Sequence, residues 1–463
     1  MAEPATETDA PPPQAEEHLG LNPELVSSVV RALEDEHRFI ARIFVEPLRP
    51  PELADLLQQI SHQLRQRLVE YLRPDFHPEV LPELEPGVRE EVAAQLGTQT
   101  LARAIARLDT DDALNLLSTL EDGRQRQVLH AIPETLRTML EEGLAFPEDS
   151  AGRLMERNFV AVPAFWTVGE TIDYLREADD LPGEFYDIFV VDPRHRAVGT
   201  VALSQVLRNR RPVRIGDVME SNIVTVPAVM DQEEVAFLFA QQDLTSAPVV
   251  DDNQRLIGAI TVDDVLDVIS DEVEEDIYRL GGLGGDDLYS AALETGRARF
   301  SWLFLNLGTA VLASMVIGMF AATLEQIIML AVLMPIVASM GGNAGTQTMT
   351  VAVRALATKE LTAANAARVL GKEVLVGLYN GFLFAVLIGM VAWFWSGDWS
   401  IGAIMGVAMA ITMLIAALAG IVIPLGLART GIDPALASGV ILTTVTDVVA
   451  FLSFLGLAAW FLL

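Results

Sequence analysis

Residues 301–463 contain five apolar runs, at roughly 301–321, 325–342, 374–396, 401–427 and 438–463. Each is near the ~20 residues that an α-helix needs to cross a bilayer. Five such runs in succession predict an all-α, five-helix transmembrane domain. Charge is divided accordingly. Residues 301–463 hold six Asp or Glu and five Lys or Arg, so nearly all of the formal net charge of -32 lies in the first 300 residues. That acidic, water-soluble part argues against nucleic acid as a partner and in favour of cations. With no cysteine in the chain, disulfides, thiolate zinc sites and cysteine nucleophiles are excluded.

Orientation follows from the basic residues. Arg297 and Arg299 precede the first run, Arg354, Lys359, Arg368 and Lys372 separate the second from the third, and Arg429 separates the fourth from the fifth. The alternate connections, ATLEQ and SGDWS, carry only acids. The positive-inside rule therefore places the soluble part in the cytoplasm of a cell with this protein in its inner (plasma) membrane, and an odd number of spans puts the C-terminus outside. The N-terminal stretch MAEPATETDAPPPQAEEHLG lacks a basic region followed by an apolar core, so it is expected to be a disordered tail rather than a signal peptide.

Ionisable residues inside membrane spans are rare and point to function. Asp447 lies halfway along the fifth run with no base in any run to pair with it. Either a neighbouring Ser or Thr hydrogen-bonds it, or it faces a watery path, with Thr443 and Thr444 one turn earlier near the same face. Asp433, followed by Pro434, reads as a helix N-cap. The second run ends in MPIVASMGGNAGTQTMT, where Pro335, Gly341, Gly342 and Gly345 are expected either to break the helix at membrane depth beside a cavity or to mark a simple cytoplasmic helix end, with Asn343 and Gln347 adding polar groups.

The soluble part repeats itself. FVVDPRHRAVGTVALSQVL (189–207) matches PVVDDNQRLIGAITVDDVL (248–266) without a gap, each copy reading as strand, turn, strand and helix. This resembles a tandem pair of CBS modules, α/β units that often bind adenine nucleotides. The copies differ at several positions, and among these Ser204 and Gln205 become Asp263 and Asp264. From there DDVLDVISDEVEED (263–276) places eight carboxylates in fourteen positions with no base, and Asp264, Asp267, Asp271 and Glu275 recur at helical spacing. Acids so spaced repel by roughly 0.2–0.5 kcal/mol per pair. A solvated linker is the plain alternative, but the fold of the repeat does not call for these acids. Upstream, residues 21–150 are rich in Leu, Ala and Glu at helical spacing, with short helices broken by Pro and Gly, and Asp109, Asp111 and Asp112 form a smaller acidic cluster.

Together EDSAGRLM (148–155), TVDDVLDV (261–268), EEDIYRLG (274–281), PIVASMGGNAGTQT (335–348) and DPALASGVILTTVTDV (433–448) resemble the MgtE family of magnesium channels from about residue 21 onward. The resemblance implies a homodimer of multidomain chains. In each, a disordered tail (1–20) leads to an all-α cytosolic helical-repeat domain (21–150). An α/β tandem CBS domain (151–213 and 214–271), a connecting plug helix (272–300) and an all-α five-helix transmembrane pore domain (301–463) follow. It implies that Asp447 is the pore carboxylate, that Asn343, Thr443 and Thr444 line the pore, and that Asp231, Glu233, Asp243, Asp264, Asp267, Glu272, Glu275 and Asp276 bind regulatory Mg2+. Thr261 and Asp264 suit the ribose of an adenine nucleotide such as ATP, a pair that the first repeat lacks. Asn115 stands where an acid is expected.

Physically, Mg2+ prefers oxygen ligands and gives up its inner waters reluctantly, so two Asp447 carboxylates across a dimer axis would hold it through water. The chain has no GxxxxGK[ST] loop, which argues against an ATP-driven pump. The spans lack His and the HExxH pattern, which argues against a membrane enzyme. A proton-coupled secondary transporter remains the alternative to a passive channel.

Overall fold

The computed structural model describes residues 21–178, 181–183, 185–285 and 292–463, so the expected tail of residues 1–20 lies outside the described residues. The chain forms two compact units, one ending at Ile269 and the other starting at Ser270.

The first unit opens with nine described helices of 8–12 residues between Pro23 and Leu144. Their ends follow from the sequence. Proline occupies the first turn of Pro23–Glu34, Pro50–Gln59 and Pro86–Leu96, where its missing N–H costs no intrahelical bond. Gly97, at φ +78°, turns the chain between Pro86–Leu96 and Thr98–Ile105. One leucine-rich core runs through these helices, with Leu33, Leu56, Leu68, Leu96 and Leu114 sealed from solvent. Two arginines are buried beside it. Arg65 donates to the carbonyls of Leu57 and Ile60 at a helix C-terminus, and Arg89 donates to those of Leu84 and Pro82.

Two three-stranded sheets follow: β1 (Ala161–Pro163), β2 (Asp187–Val191) and β3 (Ala197–Ala202), then β4 (Val226–Pro227), β5 (Ser246–Val250) and β6 (Leu256–Thr261). In each the first pair is parallel and the second antiparallel, with a register shift at Val190/Val191 and again at Val249/Val250. The internal repeat of the sequence is thus a repeat of structure. Asp192 and Asp251 each accept two backbone N–H bonds from the following turn, and His195 and Gln254 both take the left-handed conformation.

The two modules exchange their leading segments. Ala151–Leu154 docks on the second sheet, Ala151 N–H bonding to the Met230 carbonyl and Gly152 N–H to that of Ala228. Ile215–Val218 docks on the first, through Ile215 N–H to Trp166 and Gly216 N–H to Ala164. Gly199 and Gly258 admit Met219 and Met155 at these crossings, where a Cβ would lie 2.7 Å or less from sulfur.

In the second unit five helices have the length and composition to cross a membrane: Thr295–Gly318, Ile328–Ala357, Ala366–Ser396, Trp399–Thr430 and Pro434–Phe461. The fourth is central, packing against the second, third and fifth through Ile404, Met405, Ala408, Met409 and Met413. The expected break in the second span is absent: its helix runs unbroken through Pro335 and the glycines to Ala357. Those glycines serve close approach instead. A Cβ on Gly341 would collide with Thr412 of the fourth span, and one on Gly345 would lie 2.9 Å from Leu442 of the fifth. Within 272–300, the expected connecting segment, the described residues belong to two helices. A helix over Val262–Leu280 continues from the second module and stops where Gly282, at φ +72°, bonds its N–H to the Arg279 carbonyl. Residues 286–291 lie outside the described residues, and Ala292 opens the helix of the first span.

Candidate cation sites

In the first unit, two helix N-termini and one strand edge bring carboxylates together. Helix Thr110–Ser118 starts at Asp109 and carries Asp111 and Asp112 in its first turn, and helix Val262–Leu280 carries Asp263 and Asp264 in its own. Glu156 arrives on the exchanged segment, held by two backbone hydrogen bonds of 2.8 and 2.9 Å to Ala259 of β6. Asp264 is set by Thr261 at the end of β6, whose hydroxyl donates to the carboxylate at 2.8 Å and whose N–H donates at 3.4 Å.

These acids raise one another's proton affinity. Burial and then Asp109, Asp264 and Glu83 push Asp112 up to about 6, with Arg89 opposing. Burial and then Asp264 and Asp109 push Glu156 up to about 7. Burial, Asp263 and Asp267 outweigh the Thr261 hydrogen bonds and raise Asp264 to about 6. Asp111 is raised well above its ordinary value by burial and Asp264, and its Oδ1 is buried without a hydrogen-bond partner. Glu83 is raised by burial and by Asp267. The donor set is entirely oxygen, which fits a hard divalent cation. Among the described residues no three carboxylates converge closely enough to hold a bare ion, so the cluster concentrates charge rather than presenting a finished cage.

In the second unit, the Asp447 carboxylate is half-buried on the fifth span and makes no hydrogen bond or ion pair among the described residues. The neighbouring hydroxyls turn away to carbonyls of their own helix: Thr443 to Gly439 and Val440, Thr444 to Val440 at 2.6 Å, and Thr446 to Leu442. A carboxylate satisfied by Ser or Thr is therefore not what the fold provides. Asn343 lines a cavity of about 190 Å³ between the second, third and fourth spans, together with Gln347, Thr348 and Asn380. Thr443, Thr444 and Asp447 are not among the residues that line this cavity.

Three family models match: "Divalent cation transporter" (MgtE) over residues 334–457, "MgtE intracellular N domain" over 48–149, and "CBS domain" over 215–271. The magnesium transporter MgtE of Thermus thermophilus is 36% identical over 354 residues, covering 76% of this chain and 78% of that protein. The chain belongs to the MgtE family. The MgtE of Bacillus subtilis is 28% identical over 95% of this chain and 98% of its own length, and that of Enterococcus faecalis is 32% identical over 70% and 71%. A solved structure of the cytosolic domain of the Mg2+ channel MgtE in complex with ATP is 31% identical, covering 52% of this chain and 99% of that one at a TM-score of 0.48.

On this MgtE chain the expected regulatory acids fall into three places. Asp264 and Asp267 adjoin the cluster just described. Asp231 is the N-cap of helix Gln232–Gln242, accepting the Glu233 N–H at 2.9 Å, and Asp243 is its left-handed C-cap, so Asp231 and Glu233 lie at the opposite end from Asp243. Glu272, Glu275 and Asp276 lie at the far end of the acidic helix, where burial and Asp433 raise Asp276 against the pull of Arg279. Asn115 receives a 3.0 Å hydrogen bond from the Arg89 guanidinium, a neutral acceptor for a cation placed among acids. Glu156 was not anticipated. Its signal lies in a second internal match, GRLMERN against GDVMESN, which pairs Glu156 with Glu220; both bond at the edge of a module, to Ala259 and Thr200.

Proposed function

We propose that this protein is a magnesium-selective channel that carries the ion passively across the membrane and closes when intracellular magnesium binds its acidic cytosolic part. The observation that carries the reading is the meeting of Asp111 and Asp112 of the helical domain with Asp264 and Glu156 of the CBS pair. Protons or cations that neutralise these acids stabilise that surface. The chain acts as a homodimer in which two Asp447 carboxylates across the axis attract a hydrated divalent ion, Thr443 and Thr444 line the same path, and Asn343 lines its approach. A monovalent ion gains half as much Coulomb energy there. Inward movement needs no further energy source, because an inside-negative potential drives a divalent ion by about 4.6 kcal/mol per 100 mV.

Gating follows from linkage. Magnesium at ten times its dissociation constant favours the neutralised, compact state by about 1.4 kcal/mol per site, so several weak sites act as a steep switch. An adenine nucleotide binds once per chain at Thr261 and Asp264, which already hydrogen-bond each other; the first module has Ala202 and Gln205 in their places. The helical and CBS domains face the cytoplasm and the C-terminus faces outward, an orientation that the distribution of bases supports.

Ion flux in vesicles with controlled internal magnesium tests this. Asp447→Ala abolishes conduction, whereas Asp264→Ala with Asp267→Ala keeps conduction and loses inhibition. Inhibition of that double variant at the parent's magnesium level would overturn the sensor assignment. The unpartnered Asp447 also suits a proton-coupled transporter. Turnover that saturates at transporter rates and moves protons would establish that mechanism instead.

A further inference from the structure

The end of the acidic helix is fastened to the membrane domain without any metal, and an arginine does it. Arg279 Nη1 lies 2.6 Å from Asp433 Oδ2, and Nη2 pairs with Glu275 one turn back on its own helix. Asp433 is the N-cap of the fifth span: its other oxygen accepts the Ala435 N–H at 2.8 Å. One carboxylate therefore starts the helix that carries Asp447 and also anchors the acidic helix. Two apolar contacts flank the pair. Leu280 packs against Met349, Val353, Ala419 and Leu442 of the second, fourth and fifth spans. Gly282, in the left-handed turn that ends the helix, lies against the Trp302 indole, where a side chain would collide.

We propose that Arg279 is a resident counter-cation that latches the acidic helix onto the fifth span and so lowers the magnesium needed to close the pore. This rests on the gating reading above and adds to it. Near Glu275, Asp276 and Asp433 the guanidinium supplies positive charge without the translational entropy cost of capturing a free ion, because it is tethered to the helix that it holds. Magnesium at the neighbouring acids then completes a docking that is already partly made. The competing outcome is that the guanidinium keeps magnesium away from these carboxylates, and it reverses the sign of the effect.

The test uses the full chain in vesicles. Arg279→Gln is expected to raise the internal magnesium that halves the flux several-fold, and Arg279→Lys to raise it less. Asp433→Asn keeps the N-cap, since Asn caps as well as Asp, but loses the charge; it shifts the midpoint in the same direction, and the double variant shifts it no further than either single change. An unchanged midpoint, a lower one, or fully additive shifts would overturn the latch. A second readout does not depend on flux. In this cysteine-free chain, Leu280→Cys is expected to react slowly with a water-soluble maleimide in chelator, and several-fold faster once Arg279→Gln is added. Equal rates in the two backgrounds would overturn the proposal, as would fast labelling of the single variant. If the parent shows no magnesium inhibition at all while Leu280→Cys is protected, it is the gating reading that fails, and the latch stands as a structural contact.

Discussion

At the scale of single residues, Asp112, Glu156 and Asp264 keep their protons to pH values of about 6, 7 and 6, where an unfolded carboxylate, titrating near 4, has lost them. Between those limits the folded chain binds more protons than the unfolded one, so its stability falls as pH rises. In chelator, the thermal transition of the detergent-solubilised protein should therefore be highest near pH 5 and drop toward pH 8. Magnesium at pH 8 should recover most of the loss, because the ion replaces the protons. Asp264→Asn combined with Glu156→Gln should flatten the slope. A transition temperature that climbs from pH 5 to 8 without metal would contradict the assigned repulsion. Asp264 was legible in the sequence because the second repeat replaces a neutral residue with an acid. Asp111 and Asp112 could be seen as acidic but not as partners of Asp264, since the sequence does not say which helix N-terminus faces which. Glu156 was hidden for a different reason: its place depends on the exchange of segments between the two modules.

At the scale of elements, the membrane helices were read in number and order but not in length. Glycine and proline in MPIVASMGGNAGTQTMT pointed to a broken helix, yet small residues serve equally for close packing between helices in lipid. The fold uses them that way: Gly341 meets Thr412, Gly345 meets Leu442, and Gly420 meets Thr348. At Gly345 even a methyl group would lie 2.9 Å from the Leu442 side chain. Gly341→Val or Gly345→Val should force the second span off its neighbours at a cost of about 1–3 kcal/mol, the range for overpacking. Gly342→Ala, whose Cβ would meet nothing within 4 Å, should be neutral. Thermal stability in detergent separates these variants, and equal stability of all three would mean that the glycines are not packing devices.

At the scale of the whole molecule, the reading depends on two equilibria being one: neutralisation of the acids and closure of the pore. Arg153 and Arg157 report on the first. Arg153 reaches from the CBS pair to the helical domain, donating to Ser118 Oγ at 2.8 Å and to the Leu144 and Phe146 carbonyls, while Arg157 pairs with Glu142. In this compact arrangement Arg153 lies in the short helix Ala151–Leu154 and Glu156 is bridged to Ala259 of β6, so the segment offers trypsin no free extended substrate. Separation of the helical domain would expose it. Cleavage at Arg153 and Arg157 should be fast in chelator at pH 8 and slow in magnesium, with a midpoint matching the internal magnesium that halves the flux through the same preparation. Asp264→Ala with Asp267→Ala should keep cleavage fast at every magnesium level. If flux closes at magnesium well below the level that protects these arginines, then docking of the helical domain follows closure instead of causing it. The sensor would then have to lie further along the acidic helix, among Glu272, Glu275 and Asp276.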